Sequence, residues 1–326
     1  MRAVRFERFG EPAEVLHTED MPMPEPGAGQ VRVRMQARPI NPSDLFMIRG
    51  RYGVRPPLPA TPGFEGAGIV DALGADVTGL NVGQLVVPTN ANGTWQQYIV
   101  ADARSLIAVP SALDERQAAM LLVNPTTAWL MLTESLQAGP GEWVIQNAAN
   151  SAVGRFVIQI AKRRGVKTIN VVRRRDVVAE LAALGADAVI VDGEDDVLAS
   201  AKQITGGKGP QYALDSVAGR SGTLLAQCLA PGGHMVVFGA ISGEPLVLDA
   251  GALLFRGVTI TGWWLSQWFR KATPQQQQAL FGAVLPMIAD GTLHAPVAAD
   301  FSLDEVVEAC RLADGSQRNG KVLLVG

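Results

Sequence analysis

Sulfur and imidazole ligands are scarce in this sequence. Its 326 residues include only two cysteines, Cys228 and Cys310, and no Cys-x-x-Cys pair. Two cysteines so far apart in the sequence exclude a zinc knuckle and a disulfide framework. We expect both to be buried as small apolar side chains. The three histidines, His17, His234 and His294, are scattered without the spacing of metal ligands. We therefore predict no metal site.

Long apolar runs and an excess of charge of either sign are also absent. The net charge is −3 at pH 7, with 48% hydrophobic and 18% charged residues. This balance is typical of a globular protein and gives no reason to expect nucleic acid or an anionic membrane as a partner. No apolar run approaches the length of a membrane span. The chain begins directly as a strand, without an apolar signal core, so we expect a cytoplasmic protein.

One stretch, residues 143–175, has the order of a dinucleotide-binding βαβ unit. An apolar strand is followed by a turn of small residues, a helix that opens near Val153 and ends at Gly165, and a second strand that runs into three arginines. The turn places backbone N–H groups and the positive end of the helix where a pyrophosphate can bind.

The glycine fingerprint of such units is only partly present. Where Gly-x-Gly-x-x-Gly is expected, the chain has Ala149 to Val153 and then Gly154. An acidic residue after the second strand would accept the 2′-hydroxyl of NAD. Here Arg173 and Arg175 stand at that place, and they are suited to grip a 2′-phosphate. We therefore predict NADPH as the cofactor. The predicted contacts are Asn147, Asn150, Ser151, Ala152, Val153, Gly154, Arg173 and Arg175.

The remaining patterns predict two domains. Residues 1 to about 118 have the closely spaced short strands and turns of a small β-barrel, with residues 41–53 as a polar loop. Strands and helices then alternate strictly, which predicts a doubly wound parallel sheet of about six strands. The final stretch leaves that alternation, and we expect it to fold back on the barrel. Residues 119–268 would then be a cofactor domain inserted between residues 1–118 and 269–326.

The whole chain resembles the medium-chain dehydrogenase/reductases, which combine a GroES-like β-barrel catalytic domain with a Rossmann domain. The zinc alcohol dehydrogenases of that family carry a Cys-His pair and a Gly-His-Glu, where this chain reads Asn41-Pro42-Ser43-Asp44 and Gly63-Phe64-Glu65. The resemblance therefore implies a reductase that works without zinc.

Within that family the chain resembles two zinc-independent branches. Asn41-Pro42-Ser43-Asp44 and Thr127-Ala128 recur in quinone oxidoreductases. Both elements also belong to five segments that are similar to the NADPH-dependent 2-enoyl thioester reductases of fatty acid metabolism. The five are residues 41–44 with Gly50-Arg51-Tyr52, residues 123–128, residues 146–151, residues 168–173 and residues 264–268. We expect reduction of the α,β double bond of an acyl-CoA or acyl carrier protein thioester. Quinone reduction, and more remotely a non-catalytic NADPH-binding protein, stay open.

The resemblance also implies roles for individual residues. Tyr52 would stabilise the developing enolate and aid protonation of the α-carbon, because a phenol is a hydrogen-bond donor at neutral pH. Asn41 would position the nicotinamide or the carbonyl. Thr127 and Lys321 would lie at the cofactor, and the walls of the acyl channel would be Trp264 and Trp268. A homodimer, paired along the edge strand at residues 258–264, is also expected.

Overall fold

The computed structural model describes residues 1–90, 92–315 and 318–326. The strands are β1 (Arg2–Arg5), β2 (His17–Asp20), β3 (Gln30–Pro39), β4 (Ala67–Leu73), β5 (Leu85–Pro88), β6 (Tyr98–Asp102), β7 (Leu106–Ala108), β8 (Trp143–Gln146), β9 (Lys167–Val172), β10 (Ala188–Val191), β11 (Tyr212–Asp215), β12 (His234–Val237), β13 (Thr259–Gly262), β14 (Val297–Phe301) and β15 (Lys321–Val325). The helices are α1 (Pro12–Val15), α2 (Pro42–Ile48), α3 (Glu115–Ala119), α4 (Asn124–Leu130), α5 (Ala152–Arg164), α6 (Val178–Leu184), α7 (Val197–Ile204), α8 (Gly219–Cys228), α9 (Ala250–Phe255), α10 (Leu265–Lys271), α11 (Pro274–Ala289) and α12 (Val306–Asp314). Single turns of other helix types cover Ala103–Ser105, Met131–Ser135, Arg175–Val177 and Leu303–Glu305.

The chain forms two compact units. The mixed-sheet unit comprises Met1–Val123 and Val284–Gly326, and the parallel-sheet unit comprises Asn124–Ala283. In the mixed-sheet unit the strands lie in the order β14-β15-β3-β4-β5-β7, with β6 also paired to β3. The C-terminal strand β15 pairs antiparallel with β3, so both chain segments of this unit contribute to one sheet.

In the parallel-sheet unit six strands lie in the order β10-β9-β8-β11-β12-β13. Every neighbouring pair in this sheet is parallel. Counted from β8, this is the 3-2-1-4-5-6 order of a Rossmann fold, whose strand order reverses between β8 and β11. The predicted doubly wound sheet is confirmed, and the carboxyl ends of β8 and β11 lie side by side at the switch point.

The predicted βαβ unit has nearly the expected bounds. Helix α5 buries one apolar face, which includes Phe156, Val157 and Ile160. It ends at Gly165, whose φ of 70° is left-handed, and the N–H of Gly165 bonds the carbonyl of Lys162. Glycine adopts that conformation without steric cost, so the predicted stop signal is confirmed.

The predicted polar loop at residues 41–53 is wrong over its first half, where the chain forms α2. Pro42 occupies the first helical position, and Asp44 accepts a hydrogen bond from the backbone N–H of Asn41 at 2.7 Å. Proline at the first position and an acid at the third are signals of a helix start, and they outweigh the polar character of the segment. Helix α1 also interrupts the stretch that we expected to hold barrel strands and turns alone.

Both cysteines are buried, as expected. Cys228 lies in the core of the parallel-sheet unit and is 1% exposed, and Cys310 lies in the core of the mixed-sheet unit and is 3% exposed. Burial raises the pKa of each thiol to about 12. Within the described ranges no helix combines the length and apolar character needed to cross a membrane. The described residues also contain no group of three His, Cys, Asp or Glu side chains that could hold a metal ion.

Candidate active site

The Tyr52 loop begins where α2 ends. Gly50 has a left-handed φ of 68°, and a Cβ there would lie 3.0 Å from the ring of Phe9. The N–H of Gly50 bonds the carbonyl of Met47 at 2.9 Å, and the N–H of Arg51 bonds that of Phe46 at 2.8 Å. These bonds close the helix with a glycine-dependent cap. The residue after the cap is Arg51, and Tyr52 follows.

Tyr52 is half-buried and packs beside an aromatic side chain. Its ring centroid lies 5.0 Å from that of Phe64, with the rings tilted by 41°. Both rings pack on the apolar core of the mixed-sheet unit. The guanidinium of Arg55 donates to the carbonyl of Gly50 at 2.8 Å and so fixes the far side of the loop. A phenol that is anchored on one face and partly exposed is suited to donate a hydrogen bond to a bound substrate.

A cluster of buried polar side chains lies at the start of α2, and we call it the Asn41 network. It consists of Asn41, Asp44, Glu65 and Lys321, each at most 3% exposed. The Asn41 amide nitrogen donates to Glu65 Oε1 at 2.7 Å, and its amide oxygen accepts from Lys321 Nζ. Lys321 also donates to the carbonyl of Ile40 at 2.9 Å. A single amide thus joins a buried carboxylate to a buried ammonium.

Asp44 is the second carboxylate of the Asn41 network. Oδ2 accepts from the N–H of Asn41 at 2.7 Å, and Oδ1 accepts from the N–H of Phe64 at 3.1 Å. Burial raises the pKa of Asp44 to about 7, and burial likewise raises the pKa of Glu65. Burial lowers the pKa of Lys321 to about 8, against the attraction of Glu65. Two buried carboxylates therefore share one buried ammonium.

Two predicted site residues, Asn41 and Lys321, thus lie together in the mixed-sheet unit. The side chains of both point into the interior, where their polar atoms are hydrogen-bonded to protein groups. This environment favours a positioning role for them. Direct contact with cofactor or substrate stays a prediction.

The predicted pyrophosphate turn leads into α5. Ser151 precedes the helix, and its hydroxyl accepts the N–H of Gly154 at 3.2 Å. A Cβ on Gly154 would lie 2.5 Å from the carbonyl oxygen of Ala149, so only glycine allows the helix to approach the turn this closely. Ala152 and Val153 supply first-turn N–H groups, which have no acceptor within a helix. These features fit a bound phosphate.

Asn147 belongs to a second buried cluster, which we call the Asn147 network and which also contains Asp215, Ser216 and Ser221. The Asn147 amide nitrogen donates to Asp215 Oδ1 at 2.6 Å and to the Ser221 hydroxyl at 3.1 Å. Its amide oxygen accepts from the N–H of Ser216 at 2.9 Å. Asn147 thereby ties the end of β8 to the end of β11. Its side chain points into the protein.

The turn after β11 is strained. Ala218 has φ 61° and ψ −156°, a conformation that is costly for any residue with a Cβ. Asp215 Oδ1 holds this turn by accepting the N–H groups of Val217 at 3.0 Å and Ala218 at 2.9 Å. A Cβ on Gly222 would lie 2.2 Å from Asp215 Oδ2, so the missing side chain of Gly222 leaves room for the carboxylate.

The two predicted 2′-phosphate ligands lie just beyond the end of β9 and are exposed. Arg175 donates to the carboxylate of Glu194 at 2.6 Å. No ion pair of Arg173 occurs within the described ranges. Exposed ion pairs are weak, so Glu194 does not prevent Arg175 from binding a phosphate.

The predicted acyl-channel tryptophans lie at and in α10. Trp264 immediately precedes the helix, and the guanidinium of Arg270 lies 4.8 Å from its ring centroid. The indole N–H of Trp268 donates to Glu134 at 2.8 Å. Both rings are half-buried. Thr127 lies in α4 and is 5% exposed. The roles of these three residues stay predictions.

Sequence reasoning assigned no role to Asp44, Glu65 or Asp215. Glu65 lies in the run Gly63-Phe64-Glu65-Gly66-Ala67, where a charged residue among small and apolar ones signals a buried, paired carboxylate. Asp215 ends an apolar strand, and the carboxyl ends of strands collect functional side chains in such sheets. Both signals were present in the sequence.

Two family models match the chain. The alcohol dehydrogenase GroES-like domain matches residues 27–111, and the zinc-binding dehydrogenase model matches residues 152–281. Among curated proteins, the mitochondrial enoyl-[acyl-carrier-protein] reductase of Rattus norvegicus is 40% identical over 314 residues. The match covers 95% of this chain and 84% of that relative.

The chain is also similar over its whole length to solved structures of quinone oxidoreductases and of Etr1p. Escherichia coli quinone oxidoreductase complexed with NADPH is similar with a TM-score of 0.92 at 27% identity, and the match covers 100% of both chains. The Etr1p complex with NADP and crotonyl-CoA has a TM-score of 0.90 at 28% identity, with 100% of this chain and 99% of that chain covered. The chain is also similar to the mitochondrial 2-enoyl thioester reductase Etr1p/Etr2p heterodimer from Candida tropicalis. The chain belongs to the medium-chain dehydrogenase/reductase family, in the branch of the enoyl-[acyl-carrier-protein] reductases.

Proposed function

We propose that the protein reduces the α,β double bond of trans-2-enoyl thioesters with NADPH. The observation that carries this proposal is the placement of Tyr52, which is anchored by Gly50 and Phe64 with its ring half-exposed. Membership of the enoyl reductase branch supplies the substrate class. The carrier of the acyl group is coenzyme A or acyl carrier protein.

NADPH is the cofactor that the parallel-sheet unit fits. The first turn of α5, opened by Ser151, receives the pyrophosphate. Arg173 and Arg175 lie one strand away, where the 2′-phosphate of the adenosine ribose is recognised in such folds. When bound, NADPH supplies the hydride that reaches the β-carbon.

Tyr52 manages the charge that this reduction creates. As the β-carbon is reduced, negative charge develops on the thioester oxygen, and a donor aimed at that oxygen stabilises it. The hydroxyl of Tyr52 is that donor, and it also assists delivery of a proton to the α-carbon. Asn41 positions the Tyr52 loop through α2, whose start the Asn41 network holds. Thr127 binds the nicotinamide carboxamide, and the acyl chain lies along Trp264 and Trp268.

The test is a panel of crotonyl-CoA, longer enoyl-CoAs, simple enones and quinones, each with NADPH. We expect kcat/KM to be highest for an enoyl thioester. Tyr52→Phe removes the donor while keeping the ring against Phe64, so kcat should fall about 100-fold. Tyr98→Phe, on β6, is the matched control and should keep wild-type kcat. A fully active Tyr52→Phe enzyme would refute the role of Tyr52.

Quinone reduction is the second candidate, and the likeness to Escherichia coli quinone oxidoreductase favours it. A quinone carries its charge on oxygen and takes protons from water, so its reduction does not need a donor at Tyr52. If Tyr52→Phe lost quinone turnover and enoyl thioester turnover equally, the result would argue against this difference in the need for the Tyr52 donor. High quinone turnover with no thioester turnover would establish the second candidate instead.

The arginines provide a test of the cofactor. Arg173→Asp combined with Arg175→Ala should raise KM for NADPH at least about tenfold and leave KM for NADH within about twofold, because only NADPH carries the 2′-phosphate. Arg163→Asp, at the exposed end of α5, controls for the loss of positive charge. Equal effects on both cofactors would mean that the arginines have no selective role.

We also propose a homodimer that pairs along β13. This strand ends the parallel sheet and bonds β12 on one side, and no described strand pairs with its other edge. Beside it, Leu254 and Phe255 on α9 are 74% and 88% exposed, which is unusual for large apolar residues outside an interface. Phe255→Glu should yield monomers by sedimentation velocity, whereas Val82→Glu, at an exposed site of the mixed-sheet unit, should not.

Cytoplasmic location stays a prediction. The enoyl reductase relatives are mitochondrial by name. Fractionation of the source cells with antibody detection would decide between the two compartments.

A further inference from the structure

Glu65 uses both of its carboxylate oxygens as acceptors. Oε1 accepts from the amide nitrogen of Asn41 at 2.7 Å, and Oε2 accepts from the backbone N–H of Val123 at 2.8 Å. The backbone of Leu122 also bonds this carboxylate. Glu65 is 0% exposed. A carboxylate is the only common side chain that can accept on both oxygens without offering a donor.

The two groups held by Glu65 belong to two different segments of the chain. Asn41 directly precedes α2, and α2 leads through Gly50 to Tyr52. Val123 is the last residue of its unit, and the next residue begins α4, which carries Thr127. One buried carboxylate therefore fixes the start of the Tyr52 segment and the last residues before α4.

Lys321 compensates the charge of this carboxylate. It contacts the oxygen of the same Asn41 amide whose nitrogen contacts Glu65. The orientation of that amide is therefore determined on both sides, by an acceptor at Glu65 and by a donor at Lys321. A buried carboxylate without such a partner is strongly destabilising.

We propose that Glu65 is a positioning residue of the reductase, whose charge, balanced by Lys321 through Asn41, aligns the Tyr52 segment and the residues that enter α4. This role rests on the proposed function of Tyr52. Glu65 does not touch the reacting atoms. It acts through the hydrogen bonds that it accepts.

Substitution by glutamine separates this role from simple packing. Glu65→Gln keeps shape and volume but replaces one acceptor oxygen with an N–H₂ group. In either orientation that group faces a donor, which is the Asn41 amide nitrogen or the N–H of Val123. Asn41 cannot turn over to help, because Lys321 requires its oxygen. The variant should lose one of the two alignments.

Removing the lysine as well should restore the network. In Glu65→Gln with Lys321→Met, the Asn41 amide can turn over and offer its oxygen to the new N–H₂ group. The amide oxygen of the introduced glutamine then still accepts from the N–H of Val123. Lys321→Met alone leaves Glu65 without its counter-charge and should be impaired. The double variant should therefore be more active than either single variant.

The experiment measures kcat, both KM values and the thermal midpoint for wild type, the two single variants and the double variant. We expect each single variant to lower kcat about 10- to 100-fold with KM for NADPH changed less than about threefold, and the double variant to recover at least about fivefold over Glu65→Gln. Glu25→Gln and Lys208→Met, both exposed, are matched controls and should keep wild-type values.

Three results would overturn the proposal. These are wild-type kcat in Glu65→Gln, a double variant no more active than the single variants, and a loss confined to KM for NADPH. If Glu65→Gln fails to fold, recovery of folded and active protein in the double variant supports the proposal, and its failure contradicts it. Activity ratios are taken with the best acceptor of the panel. The two proposals can therefore fail independently. A wild-type enzyme that prefers a quinone would contradict the proposed thioester function without deciding the role of Glu65.

Discussion

The Asn41 network of the mixed-sheet unit and the Asn147 network of the parallel-sheet unit are built differently. The Asn41 network holds two carboxylates and an ammonium, and both oxygens of Asp44 accept hydrogen bonds. In the Asn147 network a single oxygen of Asp215 accepts three N–H groups. The other oxygen, Oδ2, has no hydrogen-bond partner in the part of the chain that the structure describes.

This difference separates a network that depends on charge from one that depends on shape. The Asn41 network has ionisable groups that compensate one another, so its stability should respond to pH and to isosteric loss of charge. The Asn147 network relies on a strained turn at Ala218 and on the space left by Gly222. It should respond to backbone substitutions and tolerate an amide in place of its acid. Four predictions test the contrast, in order of decreasing effect.

Asp44→Asn should have the largest effect. The amide replaces one acceptor oxygen with an N–H₂ group that faces the N–H of Asn41 or of Phe64. Loss of a buried hydrogen bond to an acid, with an unsatisfied donor left behind, costs about 2–3 kcal/mol. Urea denaturation would measure the loss. Asp20→Asn, at an exposed carboxylate, is the control and should be neutral.

The free energy of unfolding should also depend on pH through the titration of Asp44. Because burial raises the pKa of Asp44 from 3.8 to about 7, the folded protein binds more protons than the unfolded chain between these values. The free energy of unfolding therefore falls as pH rises. We expect Asp44 to contribute a loss of about 1–2 kcal/mol between pH 5 and 7.

The measurement is the difference between wild type and Asp44→Asn in urea denaturation at pH 5, 6 and 7. Burial lowers the pKa of His234, which gives a slope of opposite sign near this range. His234 is present in both proteins, so its contribution cancels in the difference. Parallel pH curves for the two proteins would contradict a titrating Asp44.

Ala218→Gly should stabilise the parallel-sheet unit slightly. Glycine relieves the strain of a positive φ, worth about 1–3 kcal/mol, and adds about 1 kcal/mol of unfolded-state entropy cost. The expected net gain is about 1 kcal/mol. The urea midpoint, followed by a signal from this unit, would show it. A destabilised variant would mean that the methyl group of Ala218 packs usefully.

Asp215→Asn should have the smallest effect, a loss of no more than about 1 kcal/mol. The amide oxygen can replace Oδ1, and the N–H₂ group lacks an acceptor but faces no opposing donor among the described residues. The same urea experiment compares it directly with Asp44→Asn. Equal losses for the two substitutions would remove the distinction between the networks.

Local signals were enough to predict the parallel-sheet unit. The strand at Trp143–Gln146 opens the predicted βαβ unit, and α5 begins at Ala152, one residue before the predicted start. Buried parallel strands are continuous apolar runs, and their helices end at Gly165 and Gly185, so each boundary has a residue that causes it. The alternation predicts about six parallel strands, and the structure arranges them in the 3-2-1-4-5-6 order of a Rossmann fold.

The mixed-sheet unit was harder to predict, because its features depend on long-range pairing. Strand β2 has the polar sequence His-Thr-Glu-Asp and exists through its pairing with β1. Lys321 resembles a solvated terminal lysine in the sequence, yet it reaches the amide of Asn41, 280 residues away along the chain. No local pattern reports such a contact. The sequence segments that carry Asn41, Asp44 and Glu65 are recognisable locally, but the contacts among these residues are not.

The two buried thiols can serve as internal probes of local unfolding, one in each unit. Cys228 and Cys310 are the only cysteines, one in each unit, and their raised pKa values make them inert toward alkylating reagents while they are buried. Mass spectrometry of timed labelling would assign each modification to its peptide. The two labelling rates would then report how often each core is exposed, without a chromophore, a tag or a separated fragment.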